Sequence, residues 1–232
     1  MGQVRNPRHL KALITACSQR GVRLLPGTPA WGFQREGEKI ISVETPGGRL
    51  EAGRFVVAGG AWSGRLLAQA GVTVPVRPLR GQMVLLALEP CPIRQVINMG
   101  PRYLVPRGDG RVLIGSTEEA SGFDKRTTAA GVSGLIEFGL NVVPALAEAT
   151  VERSWAGLRP QSADGLPYLG RVPETDNLYA AAGHFRAGLQ LSPITAVLLA
   201  QLLLGKPTTV PVAPYAVDRP SPELQFAGSG GH

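Results

Sequence analysis

The segment VVAGGAWSG, Val56 to Gly64, decides how the fold is read. Two β-branched residues run into paired glycines, and the apolar-periodic stretch RLLAQAG follows at once. Strand, glycine turn and helix in that order leave unpaired N–H groups at the helix start. An anion or an electron-rich ring is favoured there, and glycine lets backbone approach such a ligand closely. The theme returns in NLYAAAGHFRAG (177–188), followed by a helix expected from about Leu189 to Leu204. Neither loop spells GxGxxG. The first reads either as a cofactor loop or as a plain strand-to-helix turn. The second holds His184 and Arg186 between glycines, and an arginine so held faces a ligand or marks a surface turn.

Bulk properties narrow the classes. The chain has 232 residues, 44% hydrophobic and 18% charged, which suits a folded soluble protein. Gly and Pro number 30 and 20, implying many tight turns between short strands. The net charge is +7, but its arginines are scattered singly without aromatic interleaving, so small anionic ligands fit better than nucleic acid. Cys17 and Cys91 are far apart and outside any metal spacing, and three histidines are too dispersed for zinc. No apolar run approaches the roughly 18 residues that span a bilayer, and no secretory h-region is present. A cytoplasmic protein with no membrane partner is therefore expected.

Along the chain, Asn6 is expected to cap a first helix with Pro7 in its first turn. Leu10, Leu13, Ile14 and Cys17 form its apolar face and Gly21 closes it. VRLLPG, AWGFQREG and KIISVETPGG read as short strands, RFVVAGG as a buried one, and residues 62–70 as a short helix. From Val76 the segments VRPLRGQMVLLALE, RYLVPRGDG and RVLIGSTEE are extended, with RGDG turning between the last two. Residues 129–147 carry helical spacing, and VERSWAGLRP is extended again. The fold class expected is α+β. A mainly antiparallel sheet with one helix spans 72–155, while 1–71 and 156–218 form a second body and 219–232 a tail, of which GSGGH is set aside.

Within WAGLRPQSADGLPYLG, Arg159 stands among apolar neighbours, where an isolated charge is too costly. It either pairs with Asp164 or offers its planar fork to a ligand carboxylate. Tyr103 is either a core or edge aromatic, or a hydroxyl completing a carboxylate clamp. No CxxC, HExxH or GxxxxGK[ST] and no serine triad order occurs. An arginine–tyrosine anion site beside glycine-edged helix starts suits a redox enzyme whose cofactor does the electron chemistry.

FVVAGGAWSGRLL, VRPLRGQM, YLVPRGDGRVLIGSTEE, WAGLRPQSADGLPYLG and LYAAAGHFRAGLQLSPITA, in this order, resemble the C-terminal part of FAD-dependent glycine oxidase. That family lies in the D-amino-acid oxidase superfamily, and its bacterial forms serve thiamine biosynthesis. The resemblance covers about residues 3–218 and implies an α/β FAD-binding remainder beside the antiparallel substrate-binding sheet. It implies that Arg159 pairs with the substrate carboxylate, that the Tyr103 hydroxyl assists, and that Arg186 stands at the substrate end of the flavin. The loop Gly183, His184, Phe185, Arg186, Gly188 and Leu189 would lie along the isoalloxazine. Ala30 would contact adenine, Gly59, Gly60 and Trp62 would form a second FAD-contacting loop, and Glu118 would line the substrate pocket. The implied chemistry is hydride delivery from the amine Cα to flavin N5, hydrolysis of the imine, and hydrogen peroxide from dioxygen. Glycine is the implied substrate.

The family also carries a βαβ unit with GxGxxG and an acidic ribose ligand; no such motif occurs here. The expectation is a shortened chain, inactive or weakly active alone, completed by an N-terminal chain or assembled as a homo-oligomer. The rival readings are a sarcosine oxidase or D-amino-acid dehydrogenase-like enzyme, and a non-catalytic fragment that binds an anion or a partner chain.

Overall fold

A computed structural model describes residues 3–220; the GSGGH tail lies outside the described residues. In chain order the elements are α1 (Asn6–Gln19), β1 (Gly32–Glu36), β2 (Lys39–Thr45), β3 (Gly48–Glu51), β4 (Phe55–Val57), α2 (Ser63–Gln69) and β5 (Val76–Ala87). Then come β6 (Ile97–Met99), β7 (Arg102–Pro106), β8 (Arg111–Gly115), α3 (Ala129–Val142), β9 (Thr150–Ser162), β10 (Tyr168–Arg171), β11 (Leu178–Ala182) and α4 (Gly188–Leu203). The fold is mixed α+β, as the sequence leads one to expect. Among the described residues no helix is long and apolar enough to cross a membrane.

Two local expectations are corrected. Asn6 is the first helical residue of α1, not its cap; Arg5 takes the cap position and no side chain bonds the free N–H groups. Residues 22–27 form no strand, because Pro26 and Gly27 turn the chain there, with Gly27 at φ 71°. Gly21, at φ 75°, does close α1. The short strands β3 and β6 were not foreseen: each owes its existence to a partner across a hairpin turn.

The described chain divides into two compact units. The first comprises residues up to Pro29, Gln82–Thr117 and Thr127–Trp155. The second comprises Ala30–Gly81, Glu118–Arg126 and the residues from Ala156 on. The largest sheet runs in the order β6-β7-β8-β5-β9.

In the first unit, Val84, Leu86, Leu104, Ile114, Leu135 and Leu146 form the core. Gly139 lets α3 seat closely on β8: a Cβ there would require Ile114 Cδ1 to move aside. The start of α3 is fixed by polar groups. The fully buried Gln82 side chain accepts from Thr128 N (2.8 Å) and donates to Thr128 Oγ1 (3.1 Å). Thr128 in turn caps the helix, its Oγ1 accepting from Gly131 N at 3.1 Å.

The second unit holds an antiparallel meander, β1-β2-β3, and a three-stranded sheet in the order β10-β11-β4. β10 and β11 are antiparallel, whereas β11 and β4 are parallel, with Leu178 opposite Phe55 and Ala180 opposite Val57. Both parallel strands are buried on alternate residues and pack with Leu67 of α2 in one core. Asn177, just before β11, joins the two sheets. Its Oδ1 accepts from Ile40 N (2.8 Å), its Nδ2 donates to Ile40 O (2.8 Å) and Gly53 O (3.2 Å), and its carbonyl accepts from Phe55 N (2.9 Å).

Asn177 is only 6% exposed, so its loss strands polar groups away from water. Asn177→Ala is expected to cost roughly 3 kcal/mol, since an unsatisfied buried donor or acceptor costs about 1–3 kcal/mol each. Urea unfolding of the two proteins measures this; a loss under ~1 kcal/mol would contradict the account.

Candidate active site

Parallel pairing of β4 with β11 has a geometric consequence. Strands that run side by side in one direction end at the same edge of their sheet, and in parallel α/β sheets that carboxyl edge is where ligands sit. Here each strand runs into one of the two glycine loops: Val57 leads to Gly59–Gly60–Ala61–Trp62 and α2, and Ala182 leads to Gly183–Ala187 and α4. Gly60 and Gly183 have φ of 56° and 75°, a region that favours glycine, and Phe185 is held at φ 47°.

Each loop has a buried hydroxyl beside it. Ser63 Oγ and Ser162 Oγ are buried and have no hydrogen-bond partner among the described residues. A Cβ on Gly59 would lie 3.6 Å from Ser63 Oγ, and one on Gly183 would lie 3.1 Å from Ser162 Cβ. Buried hydroxyls are normally bonded, so these two fit a polar ligand at the sheet edge. α4 adds a sixteen-residue helix whose start carries no side-chain cap. The residues present therefore fit a flavin's ring and nearby polar atoms. No GxGxxG cradle for a pyrophosphate occurs in the sequence.

The second glycine loop is tied to β9. Phe185 N donates to Pro160 O at 2.8 Å, and Gln161 and His184 form an isolated bridge. Arg159 and Arg186 are each one residue removed from that bond. The Arg159 guanidinium lies over the backbone of Gly81, so closely that any Cβ at 81 would collide with it. Asp164, considered as its partner from sequence, is instead held by Arg219, with Nε to Oδ2 at 2.7 Å and Nη2 to Oδ1 at 2.8 Å. That bidentate pair, stacked on Tyr168 at 3.9 Å, lowers the Asp164 carboxyl to about 2. Two donors pointed at one carboxylate favour the ionised form.

Arg186 donates from Nη2 to Glu118 Oε2 at 2.9 Å. Trp62 of the first loop packs on Phe123, centroids 5.5 Å apart, and Arg65 lies 3.7 Å over the same ring. Glu118 and Phe123 belong to one segment, 118–126, which thus touches residues of both loops. That segment is fixed by Arg80, whose side chain is 7% exposed. Arg80 pairs with Glu119, with Asp124 (3.1 Å) and with the carbonyl of Arg126 (3.0 Å). Arg65, Arg80, Phe123, Ser63 and Ser162 escaped the sequence reading. Only Arg80 gave a signal, as a charge inside the apolar run of β5.

The remaining expected residues lie as follows. Ala30 is exposed just ahead of β1, and Gly188 and Leu189 open α4. Tyr103 belongs to the first unit, where it pairs with Gly115 in register; a Cβ on Gly115 would fall 2.6 Å from its Cζ. Its ring therefore rests on glycine backbone. His184 Nε2 lies 3.0 Å from Thr195 Oγ1, which fastens the loop to α4, and burial lowers its pKa below the ordinary value.

The sign of that shift yields a test. A histidine whose pKa is lower in the folded than in the unfolded chain contributes stability above the unfolded value. This stability is lost as pH falls from about 6.5 toward the folded value, because the unfolded chain takes up the proton first. Melting curves between pH 7.5 and 5.5 are expected to show a steeper loss for the wild type than for His184→Gln. Parallel losses would refute the buried neutral histidine.

This geometry has counterparts in known proteins. Residues 1–202 match a family described as DAO, FAD dependent oxidoreductase. A glycine oxidase of Pseudomonas aeruginosa is 39% identical over 217 residues, covering 93% of this chain and 60% of the relative. Among solved structures, glycine oxidase from Geobacillus kaustophilus superposes with a TM-score of 0.86 at 36% identity, covering 90% of this chain and 57% of that one. Iminodiacetate oxidase from Chelativorans sp. BNC1 gives 0.83 at 31% identity, over 90% and 58%. The chain thus spans 60% of the length of the two Pseudomonas glycine oxidases it matches and 31% of a bifunctional ThiO/ThiG protein of Synechocystis. With a family model matched over most of its residues and the two glycine loops set at one sheet edge, this chain belongs to the DAO family of FAD dependent oxidoreductases.

Proposed function

We propose that the chain supplies the amino-acid-oxidising site of a glycine oxidase-like flavoenzyme, acting on glycine or a similarly small amino acid with dioxygen as oxidant. One observation carries the reading: two glycine loops at the carboxyl edge of adjacent parallel strands, one of them bonded to β9 beside Arg159. Glycine oxidases are prominent among its relatives. The thiamine route named by the sequence resemblance is the expected setting.

FAD, when bound, supplies the two-electron acceptor. In this reading the Arg159 fork takes the substrate carboxylate, and its neighbour Gly81 leaves room for the guanidinium. The N–H groups of the second loop not already bonded to the Pro160 and His184 carbonyls, together with the dipole of α4, would favour negative charge on a ring placed there. Gly59, Gly60 and Trp62, with Ser63, border a second contact, and Ala30 a third. The His184 imidazole stays neutral and only holds the loop, so it adds no positive charge beside the flavin. The second unit, which carries both glycine loops and Arg159, would hold the flavin and the substrate carboxylate. A segment carrying a GxGxxG cradle, which this sequence does not contain, would supply the pyrophosphate contacts.

The deciding measurement is the visible spectrum of the purified chain before and after FAD, then with glycine under anaerobic conditions. A flavin band bleached by glycine is the expected result for protein that holds FAD. The 232-residue chain alone is expected to take up FAD weakly, lacking charge-assisted phosphate bonds worth about 1.5–3 kcal/mol each. Flavin uptake that glycine and other small amino acids fail to bleach would overturn the reading.

In the active protein, Arg159→Met is expected to raise KM for glycine about 10–150-fold, equivalent to losing roughly 1.5–3 kcal/mol of charge-assisted bonding. Gly81→Ala is expected to raise it also, because it displaces the guanidinium while touching no substrate. Steady-state kinetics on the two variants checks both; an unchanged KM in Gly81→Ala would detach Arg159 from the role.

A further inference from the structure

Segment 118–126 is held as a rigid strap in the second unit. Arg80 and Glu119 exchange backbone bonds, Arg80 N to Glu119 O at 2.8 Å and Glu119 N to Arg80 O at 3.0 Å. Their side chains are also paired, and Asp124 bonds the same guanidinium. Glu119 is thereby turned to Arg80. Its neighbour Glu118 is turned to Arg186, accepting the 2.9 Å bond from the second glycine loop. Unlike the Arg80 cluster, this pair is open to solvent: the Arg186 and Glu118 side chains are 42% and 34% exposed. A small ligand at the loop would meet both charges.

A lone arginine there would be a second carboxylate site beside Arg159. With Glu118 bonded to it, the pair itself carries no net charge, and an arriving carboxylate meets a fixed carboxylate of the same sign. An arriving ammonium group meets an acceptor. Like charges brought into one partly desolvated site disfavour binding, whereas the bound carboxylate does not hinder a zwitterion with a single acid group. Discrimination by placing a repelling charge against the wrong ligand is a general route to specificity.

We propose that Glu118 sets the substrate class of this site: paired with Arg186, it admits amino acids with one carboxylate and rejects those with a second acid group. This deepens the functional reading above and rests on it for the identity of the ligand as an amino acid. Glu118 acts as a specificity residue by its charge, not through folding, because its side chain is partly exposed and the strap is anchored by Arg80.

Two readouts test it. In FAD-loaded active protein, kcat/KM is measured for glycine and for iminodiacetate in the wild type, Glu118→Gln and Glu118→Asp. Glu118→Gln keeps the shape and removes the charge, and is expected to raise the iminodiacetate-to-glycine ratio at least tenfold, through KM. Glu118→Asp keeps the charge and is expected to hold the wild-type ratio within about threefold. Separately, equilibrium binding of malonate and acetate is measured by calorimetry, which needs no turnover. The malonate-to-acetate affinity ratio is expected to rise about tenfold in Glu118→Gln and to fall back as salt is added. Ratios unmoved in Glu118→Gln, or moved equally in Glu118→Asp, overturn the proposal. Should no amino acid be oxidised by any of the proteins, the functional reading fails, and the malonate and acetate arm still decides whether Glu118 excludes a second carboxylate.

Discussion

Asn177 is the joint on which the second unit depends. One buried amide satisfies the N–H and C=O of Ile40 in β2 and the carbonyl of Gly53, while its own carbonyl receives Phe55 N at the start of β4. Residues 137 and 124 positions away in sequence are thereby fixed at the entry to β11. From that point β4 and β11 run parallel, and both must end at one edge. A hydrophobic contact would have held the sheets together without specifying the register. A side chain with a matched donor and acceptor specifies it, since a one-residue slip leaves several groups unpaired in the interior.

The two glycine loops inherit their position from that pairing, but their surroundings are built by charge. Arg80 is buried, and a buried guanidinium persists only where carboxylates and carbonyls compensate it. Glu119, Asp124 and the Arg126 carbonyl all do so, which ties a surface segment down at several points. The same segment then presents Phe123 to Trp62 and Arg65, and Glu118 to Arg186. A single buried cation thus organises residues around both loops. Arg159 is placed by the opposite device, an absence: with no side chain on Gly81, its guanidinium lies against bare backbone.

The short strands show where local pattern runs out. β5, β7, β8 and α4 are legible because each carries its own periodicity and its own turn residues. β3 and β6 are not: GRLE and INM have no fully buried residue and no apolar alternation, unlike the equally short FVV of β4, so the partner strand defines them. Asn6 looked like a cap because it precedes Pro7 and an apolar stripe, yet the helix begins one residue earlier than that placement requires.

By itself, the sequence determined the kind of site. Glycines after β-branched runs, arginines held in apolar or glycine-rich stretches, and the lack of any nucleophile or metal pattern point to an anion-reading site served by a cofactor. It also carried the family motifs in order. Only the tertiary structure decided which charges meet. Asp164 stands five residues from Arg159 in sequence and belongs to Arg219. Glu118 stands 68 positions from Arg186 and holds it. The physical reason is that local periodicity records which face of an element is apolar, whereas ion pairing depends on which elements adjoin. In this chain those elements are brought together by one buried amide and one buried guanidinium, neither of which leaves a repeating trace along the chain.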